Sequence, residues 1–318
     1  MIFIVRGFAA VLALASCLAH AQPYPFKPVR VIVPFAPGGG TDISARQFSQ
    51  KLSEAFKQQF VIDNRGGAGG MIGIEMAVKA PPDGYTLMMM SASYSATSAL
   101  HKPAWDPIKA ILPVAEFGVT PFVLVVHPSV KANTAKELIA LAASKPNALA
   151  FASTGTGGIT HLATELMMHM TKTQMVHVPY KSTGAALTDV LSGQAPVLMG
   201  SLLPVVPQLQ SGKLRGLAVT TVKRWYSLPD VPTLSDTVPG YVVELWHGAM
   251  VPAGTPQTIV TALNAAINRA METPEMKKNL EQQGMIPTGG TPARFGERIV
   301  TDYHNWLKVV KAANIKID

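Results

Sequence analysis

The sequence has 318 residues, of which 27 are basic and 19 acidic, giving a formal net charge of +8. This length allows one large or two medium domains, and the 48 % of hydrophobic residues can form a buried core. The basic residues are scattered, without a basic run interleaved with aromatic side chains, so nucleic acid is not an expected partner. A mildly positive surface instead suits a protein that collects anions.

The N-terminal segment 1–21 has the composition of an export signal. Arg6 is its only charged residue, and the apolar run that follows is far shorter than the roughly 20 residues needed to span a bilayer. We therefore interpret residues 1–21 as a signal peptide cleaved after Ala21, which predicts a periplasmic protein. The alternative is a lipoprotein, because the segment ending at Cys17 also resembles a lipobox.

Beyond this segment, short apolar runs alternate with segments of helical periodicity. The predicted order is a strand at 29–34, a helix at 41–57, a strand at 60–63, a helix at 70–79 and a strand at 86–90. This βαβαβ pattern is typical of a parallel sheet with helices on both faces, and each crossover should be right-handed.

The same alternation restarts in the second part of the chain. Strands are predicted at 122–126, 149–152, 175–178, 197–199, 214–219 and 242–250. Helices are predicted at 134–144, 158–170, 182–191 and 202–210, and then at 256–271, 274–283 and 292–313. The restart predicts an α/β fold with two lobes around a central cleft. Lobe 1 comprises residues 22–121 and 249–318, and lobe 2 comprises residues 122–248.

The segment 34–42 joins the first strand to the first helix and carries three consecutive glycines. Glycines let a ligand approach the main chain, while the unpaired N–H groups and the dipole of the helix favour an anion. The candidate anion-binding residues are Gly38, Gly39, Gly40, Thr41 and Asp42, and Asp42 could also fix the loop. A glycine-rich turn with a capping acid is the alternative interpretation.

A second loop of the same type follows the strand at 149–152 and precedes the next helix. Its candidate residues are Ser153, Thr154, Gly155 and Thr156. Ligands of open α/β sheets bind at the carboxyl ends of strands, so two facing loops could hold a dicarboxylate at both ends. The glycine-rich segment 64–70 is expected to wall the same cleft through its backbone.

Two other segments have alternative interpretations. Tyr180 could close over a ligand and Lys181 could place charge near a carboxylate, or the pair is an edge tyrosine with a solvated lysine. The segment 246–248 either hinges or lines the cleft, or its tryptophan fills the floor between the lobes.

Enzymatic and metal chemistry are not expected. Cys17 is the only cysteine, and no P-loop, dinucleotide-binding or nucleophile-elbow motif is present. His161, Glu165 and His169 would share one helical face, but three ligands spread over two turns are too far apart to converge on one ion. We therefore expect no cofactor, no metal site and no catalytic residue.

Short motifs spread in order over the chain include VPFAPGG at 33–39, PDGYTL at 82–87, HVPYK at 177–181, LPDVPT at 228–233 and PAGTP at 252–256. In these motifs the sequence resembles the Bug/TctC family, the extracytoplasmic receptors of tripartite tricarboxylate transporters. The family implies a type 2 periplasmic-binding-protein fold that closes on an amino acid, a citrate-like acid or an aromatic acid. Its first glycine loop typically holds a carboxylate, its second loop faces the first, and Ser91 and Ala92 would lie beside them.

The chain departs from the family pattern at four places. Gly66 replaces a proline, Ser182 a glycine and Pro196 an aspartate, while Gly158-Ile159 replaces a more polar pair. Because Gly158 and Ile159 border the second loop, the resemblance implies a ligand that is less polar at that end.

The predicted function is capture of a small carboxylate in the periplasm by closure of two lobes. The protein is expected to be a monomer whose partners are the membrane subunits of a tripartite tricarboxylate-type transporter. A receptor for a signalling partner and a periplasmic hydrolase are the alternative functions.

Overall fold

The computed structural model describes residues 24–181 and 183–315. Within these residues the chain forms ten strands and ten α-helices, which confirms the predicted α/β class. The predicted signal peptide, including Cys17, lies outside the described residues, and so does Ser182. In the part of the chain that the structure describes, no helix is both long enough and apolar enough to cross a membrane.

The elements of the first part closely follow the predicted order. They are β1 (Val29–Val33), α1 (Gly40–Phe56), β2 (Phe60–Asn64), α2 (Met71–Val78), β3 (Thr86–Ser91), α3 (Ser93–His101) and β4 (Ile111–Val126). Helix α3 and the first part of β4 were not predicted.

The second part also alternates strands and helices. It contains α4 (Ala135–Ser144), β5 (Ala150–Ser153), α5 (Ile159–Thr171), β6 (Val176–Pro179), α6 (Thr183–Leu191), β7 (Val197–Ser201), α7 (Leu202–Gln210) and β8 (Arg215–Val219). The chain ends with β9 (Glu244–Pro252), α8 (Gln257–Glu272), α9 (Pro274–Gln282), β10 (Ile286–Pro287) and α10 (Pro292–Ala312). The short strand β10 was not predicted.

Helix starts follow local sequence signals. The Thr134 hydroxyl accepts a hydrogen bond from the Glu137 N–H at 3.1 Å, as a capping residue should. The Glu137 carboxylate, however, accepts from the N–H of Asn133 rather than from that of Thr134. Helices α9 and α10 each begin at a proline that follows a capping threonine, because proline needs no N–H partner in the first turn.

The strands run in the order β2-β1-β3-β9-β4-β7-β5-β6, and β8 and β10 also pair with β4. Strands β1, β2 and β3 pair in parallel, as do β5, β6 and β7, whereas β9 is antiparallel to both β3 and β4. Strand β4 pairs with β9 up to Pro121 and with β7 from Phe122 onward. We call β1, β2, β3, β9 and β10 the first strand group and β5 to β8 the second strand group; β4 connects the two.

Apolar packing fixes the two central strands in place. Phe48 of α1 stacks on Phe117 of β4 with ring centroids 3.9 Å apart. Trp246 of β9 is fully buried, and its indole N–H donates to Asp302 of α10 at 2.6 Å. The C-terminal helix α10 therefore packs against one face of β9. The side chains on the other face of β9 line the cavity described next.

Candidate functional site

A cavity with an empty volume of about 390 Å³ lies where β1, β3, β5 and β7 end. Ligand cavities of open α/β sheets are found at the carboxyl ends of their strands. The wall is formed by Phe35, Gly39, Gly40, Thr41, Ser91, Ser93, Phe122, Thr154, Ile159, Thr160, Thr183, Ser201, Leu245 and His247.

Five helices begin at this cavity. The first residue or the N-cap of α1, α3, α5, α6 and α7 belongs to its wall. Among the described residues no side chain caps the first turn of α1, α5 or α7, so their N–H groups are free to bind a ligand, whereas the Ser93 N–H at the start of α3 donates to Ser91 Oγ at 3.5 Å. Among the described residues of the wall there is no lysine, arginine, aspartate or glutamate. Positive potential in the cavity therefore comes from helix dipoles and N–H groups, a combination that favours an anion.

The first glycine loop is held by the buried carboxylate of Asp42. This group accepts hydrogen bonds from the Gly38 N–H at 3.0 Å, from Arg46 Nε at 3.0 Å and from Asn64 Nδ2 at 2.9 Å. Burial raises the pKa of Asp42, but the hydrogen bonds from Arg46, Asn64 and Gly38 outweigh it and bring the pKa below its usual value. Asp42 therefore fixes the loop from behind and does not belong to the cavity wall.

The second glycine loop is held by hydroxyl groups. The Thr154 N–H donates to Thr160 Oγ1 at 2.8 Å, and the hydroxyls of these two residues lie 2.9 Å apart. The Gly155 N–H donates to Ser153 Oγ at 3.1 Å, and this hydroxyl lies 2.6 Å from His177 Nε2. Hydroxyl groups thus accept the N–H hydrogen bonds of the second loop, whereas a carboxylate accepts those of the first.

Two stacked imidazole rings support the second loop from below. The rings of His161 and His177 lie 3.9 Å apart and are nearly parallel. The Gly157 N–H donates to His161 Nδ1 at 3.1 Å. Burial, with a smaller contribution from His161, lowers the pKa of His177 to about 3, so its ring is neutral at neutral pH.

The segment 64–70 contacts the second loop directly. A Cβ on Gly69 would lie 2.6 Å from the nitrogen of Gly158 and 2.7 Å from the oxygen of Thr156. The Thr97 hydroxyl lies 3.0 Å from the Gly69 carbonyl and 3.1 Å from the Gly157 carbonyl. None of residues 64–70 belongs to the described wall of the cavity, and the segment instead makes a backbone contact between the two strand groups.

The floor of the cavity is built by cross-strand neighbours. Ser91 of β3 is paired with His247 of β9, and Phe122 of β4 is paired with Ser201 of β7. Leu245 lies two residues from His247 and so shares its face of the sheet. The floor therefore alternates polar and apolar groups, which suits a ligand with a carbon skeleton between polar ends.

The structure brings together part of the predicted site. Gly39, Gly40, Thr41, Ser91 and Thr154 form the cavity wall from both strand groups. Gly38, Asp42, Ser153 and Gly155 support the two glycine loops from outside the wall.

The other predicted residues lie outside the wall. The Ala92 N–H donates to the Trp246 carbonyl at 3.0 Å, and Thr156 sits in the contact with Gly69. The Tyr180 hydroxyl donates to Asp189 at 2.6 Å. Burial and this carboxylate raise the pKa of Tyr180 to about 12. Lys181 is exposed.

Sequence reasoning did not single out several wall residues. They are Phe35, Ser93, Phe122, Thr160, Thr183, Ser201 and Leu245. Thr183 and Ser201 stand where a helix begins, next to predicted strands, and that position is the signal that could have identified them. Phe122 and Leu245 carry no such signal, because only strand pairing brings them to the cavity.

The histidines considered as metal ligands have other contacts. His161 Nε2 lies 3.5 Å from Glu165, and its ring stacks on His177. Within residues 24–181 and 183–315 no three histidine, cysteine or acidic side chains are placed to hold a metal ion.

Comparisons with known proteins agree with this geometry. The model of the TctC family, described as the tripartite tricarboxylate transporter family receptor, matches residues 44–315. BugT of Bordetella pertussis is 33 % identical over 321 residues, covering 100 % of this chain and 98 % of BugT.

Solved structures give the same result. Rpa4515 of R. palustris, solved with adipate, is 35 % identical with a TM-score of 0.87, covering 92 % of this chain and 99 % of its own. MatC of Rhodopseudomonas palustris, solved with bound malate, is 29 % identical with a TM-score of 0.86, covering 90 % of this chain and 100 % of its own. These matches confirm the predicted periplasmic-binding-protein fold. A cavity lined by helix starts, in a chain matched over most of its length, leads to one conclusion: this protein belongs to the TctC family of tripartite tricarboxylate transporter receptors.

Proposed function

We propose that this protein binds a small carboxylate in the periplasm and delivers it to a tripartite tricarboxylate-type transporter, without catalysing a reaction. The observation that carries the proposal is the meeting of five helix N-termini at one cavity whose described wall has no charged side chain of either sign at neutral pH. Backbone N–H groups bind an anion while still allowing its release. Two related proteins, solved with adipate and with malate, support a carboxylate as the ligand.

The binding residues in this proposal come from both glycine loops. Gly39, Gly40 and Thr41 hold one carboxylate at the start of α1, and Thr154 lies opposite them. Residues 22–121 and 249–318 would move as lobe 1 and residues 122–248 as lobe 2, except that residues 244–248 of β9 pair with β3 and β4 and would stay with lobe 1. Scattering measurements should then show a smaller radius of gyration for the liganded monomer than for the ligand-free one.

The principal test is thermal unfolding of ligand-free protein against a carboxylate panel that includes malate, adipate, glutamate, citrate and benzoate. A ligand at 100 times its Kd stabilises by about 2.7 kcal/mol, and one or a few members should raise the Tm by roughly 5–10 °C. Absence of any shift across the panel would refute carboxylate binding.

A matched variant makes this test specific to the cavity. A Cβ on Gly40 would make ordinary contacts with Ser201 Oγ at 3.7 Å and His247 Cε1 at 3.9 Å, so a side chain can begin here without a clash and that of Gly40→Leu should extend into the cavity. The variant is expected to lose the ligand-induced Tm shift while keeping the unfolding temperature of the free protein. A retained shift would place binding elsewhere.

Receptors of this family are periplasmic, and we propose that residues 1–21 direct this chain there. Mass spectrometry of the mature protein should find an N-terminus at Gln22. A lipid-modified N-terminus at Cys17 would instead establish the lipoprotein alternative. Turnover assays on esters and amides test the non-catalytic part of the proposal, because any hydrolysis lost in Gly40→Leu would contradict it.

A further inference from the structure

His247 is the one titratable side chain in the described wall of the cavity. The residue is only 3 % exposed, and its Nδ1 has no hydrogen-bond partner among the described residues. Buried polar atoms are nearly always paired, since an unpaired one loses its hydration without compensation. An unpaired ring nitrogen at the wall of a ligand cavity therefore requires an explanation.

The orientation of the ring points to the start of α1. His247 Cε1 lies 3.9 Å from the position that a Cβ on Gly40 would occupy. Because Cε1 is bonded to both ring nitrogens, this edge of the imidazole lies on the side of the ring that faces Gly40. His247 lies between Ser91 on β3 and Gly118 on β4, two small neighbours that leave room for the ring.

The ring is neutral under ordinary conditions. Burial lowers the pKa of His247 to about 4. A neutral imidazole has one N–H donor and one acceptor nitrogen, so it can bind a hydroxyl, an amino group or a carbonyl oxygen. Its position beside Gly40 puts that partner next to the carboxylate held by α1 rather than at the far end of the ligand.

We propose that His247 is a ligand-binding residue that hydrogen-bonds a polar substituent next to the bound carboxylate, so that the cavity selects 2-hydroxy or 2-amino carboxylates over their unsubstituted analogues. This inference rests on the proposed function, because it assigns a selective contact within the same cavity. A site built to bond a substrate hydroxyl discriminates strongly against the analogue that lacks it.

The test compares matched ligand pairs, malate with succinate and 2-hydroxyadipate with adipate, by calorimetry. The wild type should bind the hydroxylated member of at least one pair roughly 10–100-fold more tightly. The variant His247→Phe keeps an aromatic ring without polar atoms and should reduce that ratio to near one. The variant His247→Asn keeps a donor and an acceptor and should retain part of the preference.

The ratio of the two affinities within a ligand pair separates hydrogen bonding from packing. A steric change in the cavity weakens the binding of both ligands of a pair to the same extent and leaves the ratio unchanged. An unchanged ratio in His247→Phe, or no preference in the wild type, overturns the role of His247 while carboxylate binding stands. Failure of every panel carboxylate to bind overturns the proposed function together with this inference.

A measurement on the wild type covers the case in which His247→Phe does not fold. The ring nitrogen resonances of His247 should shift more with the hydroxylated ligand than with its unsubstituted analogue at saturation. Equal shifts would refute the contact.

Discussion

The two glycine loops border the same cavity, yet they are supported in different ways. The first loop is held by the carboxylate of Asp42, which is paired with Arg46 and Asn64 of the same strand group. The second loop is held by hydroxyls and by the rings of His161 and His177, and it also contacts Gly69 from the other side of the cleft. One anion-binding geometry can thus be built from charged and from uncharged supports.

This difference has a physical consequence. The first loop depends on contacts within its own strand group, so it should keep its shape whether or not the two groups approach one another. The second loop contacts Gly69, which lies on the other group, so its shape should depend on how close the two groups are. Its imidazole support should also start to lose stability at a higher pH than the carboxylate support, because an unfolded histidine takes up a proton near pH 6.5 and an unfolded aspartate near pH 3.8.

Separating the second loop from Gly69 should have the largest effect. The variant Gly69→Ala would place a Cβ within 2.7 Å of two backbone atoms of the second loop, and such overpacking costs about 1–3 kcal/mol. Ligand affinity should fall by up to roughly 100-fold in calorimetry. The control is Gly212→Ala, which has a similar φ of +68° but nothing within 4 Å. Equal affinities in the two variants would mean that the loop contact is not needed for binding.

Removal of the carboxylate support should have the next largest effect. Asp42→Ala leaves the Gly38 N–H without its acceptor and leaves the Asn64 amide with only the Phe35 carbonyl, which should lower affinity roughly 10-fold and destabilise the fold by about 1–3 kcal/mol. Asp63→Ala removes a more exposed carboxylate that pairs with Arg30 and Arg65, and its effect should be below about 1 kcal/mol. Similar losses of affinity in both variants would contradict the supporting role of Asp42.

Acid should weaken the second loop through His177. Its folded pKa of about 3 lies below the unfolded value of 6.5, so the unfolded chain binds more protons between these values. The contribution to stability is complete above pH 6.5 and is lost as the pH falls toward 3. The slope is at most about 1.4 kcal/mol per pH unit, and smaller because solvent screens a partly buried ring.

Urea unfolding between pH 7.5 and 5 measures this slope. The variant His177→Gln should show a flatter dependence than the wild type, whereas His304→Gln, on the exposed side of α10, should not. A slope that is the same in all three proteins would rule out His177 as the acid-sensitive support.

Tyr180→Phe should have the smallest effect. It removes the hydrogen bond to Asp189 and should cost about 0.5–1.5 kcal/mol of stability, with ligand affinity unchanged, because Tyr180 is not part of the wall. Tyr226→Phe is the matched change at an exposed, longer hydrogen bond. A specific loss of affinity in Tyr180→Phe would restore the lid role considered for this residue.

Local patterns predicted most of the fold because strands and amphipathic helices leave periodic signals. Helix α3 was missed because its residues Ser93 to Leu100 are all buried, so there is no polar face to reveal its period. The first part of β4 was missed because Pro113, Glu116 and Gly118 interrupt its apolar pattern.

The site was predictable where it depends on adjacent residues and not where it depends on pairing. Gly39, Gly40 and Thr41 were predicted because a strand, a glycine run and a helix follow one another in sequence. The position of His247 depends on its register with Ser91, which lies far away in the chain. The sequence alone could not decide whether the segment 246–248 acts as a hinge, lines the cleft or fills its floor with the tryptophan.

The helices that begin at the cavity belong to the two strand groups. Helices α1 and α3 follow strands of the first group, and α5, α6 and α7 follow strands of the second. The helix N-termini that would stabilise a bound anion are thereby divided between the two groups. If the groups moved apart, the anion would be stabilised by the two or three helix dipoles of one group instead of by all five.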